Sequence, residues 1–211
     1  MPKCREHAEA GIVKFLRSGR RMLLLTGTHQ QKKHELALLK VLAEYTSPAT
    51  ILFRTNHSSH FVDFLSSVIA LKARPRRGAA IRVPPHHLFV DTMNTRSWCS
   101  SPKRIDAAIV YPIDSLGTSG PRCVQDLLDR DAQKILLINW TGTQDISWVR
   151  AFEPIEVVYD AKTEHPAYHQ EVIACCVTAL LGPQLKSLAL VLGANESKLF
   201  TRVSQACAAS D

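Results

Sequence analysis

No apolar run in this chain approaches the roughly 20 residues that a membrane-spanning helix needs. The opening MPKCREHAEAG also lacks the apolar core of a secretory leader. Both absences point to an intracellular protein, cytoplasmic or nuclear, with no membrane partner. The six cysteines (Cys4, Cys99, Cys123, Cys175, Cys176, Cys207) are scattered and form no CxxC pair, which fits free thiols in a reducing compartment. No G-x-S-x-G elbow, internal repeat or low-complexity tract is present. Acidic residues are in short supply, 19 against 26 Lys and Arg, leaving a net charge of +7. That excess favours an anionic partner, nucleic acid being the commonest. The remaining composition, 45% hydrophobic and 21% charged over 211 residues, is that of a globular chain with one sizeable domain.

Apolar runs and amphipathic stretches alternate along the sequence. REHAEAGIVKFLRS (5–18) carries a helical pattern that ends at Ser18-Gly19. Strands are expected at 22–26, 50–54 (TILFR), 106–111 (DAAIVY), 134–139 (KILLIN) and 155–159 (IEVVY). Helices are expected at about 32–45, 58–71, 121–131 (started by Pro121) and 166–181, with a short helix or turn at 146–152. The alternation predicts an α/β fold, a mostly parallel five-stranded sheet flanked by helices. Segment 72–104 breaks the pattern. It holds Lys72, Arg74, Arg76, Arg77 and Arg82, the prolines Pro75, Pro84 and Pro85, and two short extended runs, AAIRV and HLFVDT. It reads as a basic, hairpin-like insertion projecting from the sheet. The core is expected over 1–183 and a C-terminal pair of helices over 184–211.

The most informative stretch is LLLTGTHQQKKHELALLKVLA (23–43): an apolar strand, Gly27, a short polar loop, then an amphipathic helix. Gly27, four residues, then Lys32, Lys33 and His34 lie over G-x-x-x-x-G-K-[ST]. The first Gly and the Lys are kept; Lys32 replaces the second Gly and His34 the Ser/Thr. The chain thus resembles a P-loop NTPase with a RecA-like or AAA-like core and a degenerate loop, over roughly residues 20–160. The resemblance implies a nucleotide-binding fold with Lys33 as the residual phosphate contact and Gly27, Thr28 and Asn139 lining a remnant pocket. It also implies loss of the Mg²⁺ ligands. His34 is a poor ligand for a hard cation, and AAIVY ends in Tyr111-Pro112 where the second acidic motif would place Asp. ATP binding stays open, with hydrolysis not expected.

Three function classes follow. The leading one is a non-catalytic or weakly nucleotide-binding accessory or scaffold protein. It binds nucleic acid or a partner subunit through the basic segment, with contacts from Lys72, Arg74, Arg76, Arg77, Arg82, Lys103 and Arg104. The second is an active enzyme, either an atypical NTPase using Asp114 or a metal-dependent nuclease centred on Asp160 and Lys162. The third is a pure interaction subunit of an ATPase complex or homo-oligomer. No catalytic residue and no metal ligand is assigned. His165 and His169 have the i, i+4 spacing of a zinc pair, but Pro166 sets His165 at the helix boundary. SLALVLGANESKLFTRVSQ has some likeness to a helix-turn-helix.

Overall fold

The structure is a computed structural model that describes residues 4–141, 144–176 and 179. The expected helices at 184–193 and 195–207, the 184–211 pair and the helix-turn-helix likeness all lie outside the described residues.

Seven strands form one sheet: β1 (Met22–Thr26), β2 (Thr50–Thr55), β3 (Ile81–Val83), β4 (His86–Thr92), β5 (Ala107–Val110), β6 (Lys134–Ile138) and β7 (Ile155–Val158). Their order is β3-β4-β2-β5-β6-β1-β7, and every pair except β3–β4 is parallel. Interior strands are apolar on both faces because helices cover both faces. Leu23, Leu25, Ile51, Phe53, Ile109, Leu136 and Ile138 point to one side. Met22, Leu24, Leu52, Ala108, Val110, Ile135 and Leu137 point to the other. The first side is covered by α1 (Arg5–Arg17), α2 (Gln30–Glu44) and α3 (His60–Leu65). Helix α1 buries Ala8, Ile12 and Phe15 at the i, i+4, i+7 spacing of a single apolar stripe. The second side carries α4 (Gly120–Asp129) and 3-10 turns at Thr95–Ser100 and Ser147–Phe152. A further helix, α5, is described over 166–176. No helix among the described residues is long and apolar enough to cross a membrane.

The mostly parallel α/β sheet is as expected, but it has seven strands rather than five. The expected insertion is corrected in part: its hairpin is present, but it does not stand off the sheet. HLFVDT does not project from the sheet; it lies within β4, which pairs in parallel with β2 over six residue pairs, Thr50↔His87 to Thr55↔Thr92. Only the three residues of β3 fold back antiparallel, forming the sheet edge. β3, the Pro84-Pro85 turn and β4 do form a hairpin, but its second arm is a strand of the main sheet. The expected helix at 58–71 is also shorter, ending at Leu65.

Candidate functional site

In parallel α/β sheets, ligands bind beyond the C-terminal ends of the strands. At that edge β1 stops at Thr26 and α2 starts at Gln30, so the connection is only Gly27, Thr28 and His29. Residues 30–32, which a phosphate-wrapping loop would use, are already helical. Gly27 has φ +109°, and a Cβ there would lie 2.3 Å from the Tyr159 carbonyl oxygen. Glycine is required because the chain leaving β7 presses on the loop. His29 N–H donates to that same Tyr159 oxygen at 3.2 Å. Thr28 N–H donates to Asp160 Oδ1 at 3.0 Å. The Thr28 hydroxyl accepts from Ala161 N–H at 3.0 Å and hydrogen-bonds His169 Nδ1 at 2.7 Å. The anion resting on this loop is thus the protein's own Asp160 carboxylate.

Lys33 is fully buried. Its ammonium donates to Gly27 O (2.5 Å), Asn139 Oδ1 (2.8 Å) and Trp140 O (3.2 Å). Burial pushes its pKa down to about 7, against the pull of Asp114 and Asp160. Gly27, Lys33 and Asn139 therefore meet in one cluster, with Thr28 next to Gly27 in the chain. The ammonium, however, ties the ends of β1 and β6 together, and three acceptors occupy its three protons. His34 does not face a cation site. Its ring stacks on Tyr111 (4.4 Å between centroids, 21° between planes) beside Phe53 and Phe64. Burial holds its pKa down at about 4, so it is neutral. Lys32 is exposed and paired with Glu35 at 2.7 Å.

The residues of the enzymatic alternatives are placed as follows. Asp114 accepts the N–H of Trp140 and, at 3.3 Å, that of Thr141, fixing the turn after β6. Tyr111 is buried at the end of β5 and donates its hydroxyl to Gln30 O at 3.0 Å. Asp160 holds Thr28, while Lys162 is exposed and no ion pair joins the two among the described residues.

The basic residues divide. Lys72, Arg74, Arg76 and Arg82 line a groove of about 860 Å³ with Pro75, Ile81 and Pro84 at the β3 edge. All four are exposed, and none has an ion-pair partner among the described residues. Arg77 is exposed but does not line the groove. Lys103 and Arg104 lie apart from it in the loop preceding β5.

Two constellations escaped the sequence reading. Arg54, at 0% exposure, makes a two-pronged contact with Asp91 (2.8 and 2.7 Å) and a third bond to Asp126 (2.8 Å). Its guanidinium carbon lies 4.4 Å from the Trp98 ring centroid. Nothing but Arg at the end of TILFR hinted at this. The second is His29, Glu164 and His165, the one group of three metal-type donors that converges among the described residues. It draws from segments more than a hundred residues apart, so no local spacing reveals it.

No protein-family model matches the sequence, and a search of curated proteins finds no significant match. Solved structures do resemble the fold. The large terminase of the thermophilic bacteriophage D6E, in complex with ADP, superposes with a TM-score of 0.55 at 6% identity, over 78% of this chain and 48% of that one. Another crystal form of the same terminase gives 0.55 at 5% identity, over 81% of this chain and 49% of that one. The chain thus spans about half the length of these neighbours. At such identity the likeness is one of fold: this chain shares the mostly parallel α/β fold of these structures.

Proposed function

We propose that this protein is a P-loop-like domain that does not hydrolyse nucleotide and that binds nucleic acid through the groove at its β3 edge. The observation that carries the reading is the groove itself. Four cations without carboxylate partners converge on one concave surface, on a chain of net charge +7. Unpaired, exposed guanidinium groups at one edge suit the phosphate backbone, which they contact bidentately and without sequence preference.

The lost catalysis has a matching rationale. The β1–α2 connection is too short to wrap phosphates, Asp160 engages Thr28 N–H, and His34 offers no oxygen to Mg²⁺. A terminase of similar fold was solved in complex with ADP; in this chain the donors of the β1–α2 loop and of Lys33 are taken by the protein's own acceptors. Hydrolysis, where the pathway needs it, would come from a partner subunit.

The test is binding of labelled single- and double-stranded DNA at two salt concentrations, with and without Mg·ATP. Salt-sensitive binding that ignores ATP, and that weakens in Arg74→Ala/Arg76→Ala, is the expected result. Absence of DNA binding in all conditions would sink the reading and leave the protein-interaction alternative. ATP turnover lost in Asp114→Ala would instead restore the enzymatic one.

A further inference from the structure

Beside the closed loop lies a second cleft, of about 570 Å³, lined by His29, Gln31, Lys32, Glu164, His165 and Tyr168 among others. One nitrogen of His29, one nitrogen of His165 and one carboxylate oxygen of Glu164 lie within 4.8 Å of one another. We infer that His29, Glu164 and His165 form a binding site for a divalent transition metal, with Zn²⁺ the best match to the donors.

Two observations support this independently. The first is the donor set: two imidazoles and a carboxylate are what Zn²⁺ takes in sites that keep a fourth position open, and all three residues line the cleft. The second is His29, which is 6% exposed yet has no ring hydrogen bond among the described residues. Its Nδ1 is buried without a partner, and its Nε2 stands 3.7 Å from Glu164 Oε2, too far for a hydrogen bond. A metal ion on Nε2 would give that nitrogen the partner it lacks.

The surroundings fit a metal as well. Tyr159 donates its hydroxyl to Glu164 Oε2 at 3.2 Å, orienting the carboxylate as an outer-shell partner does. The charge of Lys32 at the rim is offset by Glu35 at 2.7 Å. A tetrahedral zinc site sets its ligand atoms about 3.3 Å apart, so the donors close inward on binding. Glu164 and His165 can do this, being exposed in the turn before α5. The bound ion would staple the β1–α2 loop to the segment after β7. It also re-pairs His165: its partner is His29, whereas His169 is held by Thr28.

The experiment is titration of the full, chelator-stripped chain with ZnCl₂ by calorimetry, and with Co²⁺ by absorption to report the ligand geometry. The expected result is one saturable ion per chain, with affinity lowered at least ~10-fold by Glu164→Gln and by His165→Ala. Both side chains are exposed, so both variants should fold, with circular dichroism as the check. His57→Ala/His60→Ala, at the other close histidine pair (6.1 Å between ring centroids), should bind as the parent does. No saturable binding overturns the inference. So does stoichiometric binding that survives both Glu164→Gln and His165→Ala, which would place the ion elsewhere, as at Cys175 and Cys176.

Discussion

His34 stands where the P-loop resemblance would place a Ser or Thr, and its surroundings are aromatic. Its ring is packed between Tyr111, Phe53 and Phe64, and its pKa falls from 6.5 to about 4. The unfolded chain therefore binds a proton at higher pH than the folded one. Stability contributed by the neutral ring is full above pH 6.5 and is lost as pH falls towards 4. That difference is worth about 3 kcal/mol. Urea denaturation at pH 7 and pH 4 should show His34→Phe losing about that much less than the parent on acidification. Equal losses would mean that the ring takes up its proton in place. Lys33 invites the same kind of test. Removing its ammonium in Lys33→Ala leaves Gly27 O, Asn139 Oδ1 and Trp140 O short of a donor. The variant should lose about 3 kcal/mol of stability at neutral pH. A lysine that served mainly as a phosphate contact would show the opposite: intact stability and a change confined to nucleotide affinity.

Among the elements, β2, β4 and α4 are joined by a buried ionic cluster rather than by apolar packing alone. Arg54 on β2 meets Asp91 on β4 and Asp126 on α4; Asp126 is also held by Arg130, and Ser101 donates to Asp91 at 2.5 Å. A buried pair broken from one side leaves an uncompensated charge, which costs about 3–5 kcal/mol. Asp91→Leu should be destabilised by that amount in urea. Arg54→Met/Asp91→Leu should recover most of it, because Asp126 keeps Arg130. A double variant as unstable as the single one would mean that the pair itself carries the stability. The strands of this sheet were legible where apolar runs are unbroken, as in MLLLT, AAIV and KILLI. β4 was legible as the arm of a hairpin but not as a parallel partner of β2, because burial that alternates near its start also describes an edge arm. Of the residues singled out around the loop, the structure brings Gly27, Lys33 and Asn139 together. Their orientation was not legible. It depends on where α2 begins, and that is bound up with Tyr159 and Asp160, the latter 132 residues from its contact at Thr28. Non-local closure of this sort leaves no local spacing to read.

At the scale of the whole molecule, the charge of +7 is not spread evenly, and its distribution makes the nucleic-acid reading quantitative. Each phosphate neutralised by a cation releases counterions, so the slope of log affinity against log salt counts contacts, at about −0.9 each on duplex DNA. If Lys72, Arg74, Arg76 and Arg82 all reach phosphates, the slope should be near about −3.6. Arg74→Ala/Arg76→Ala/Arg82→Ala should bring it to about −0.9 and weaken binding to all sequences alike. Lys103 and Arg104 lie in the loop before β5 and do not line the groove, so Lys103→Ala/Arg104→Ala should leave the slope within about one unit of the parent's. Fluorescence anisotropy from low to near-physiological salt measures all three proteins. If the Lys103/Arg104 variant loses as much slope as the groove variant, the contact surface runs along the N-terminal ends of the strands, and the β3 groove is not where DNA is held. If only the groove variant loses slope, a short edge strand and its flanking loop turn a closed, phosphate-excluding core into a platform for a phosphate backbone.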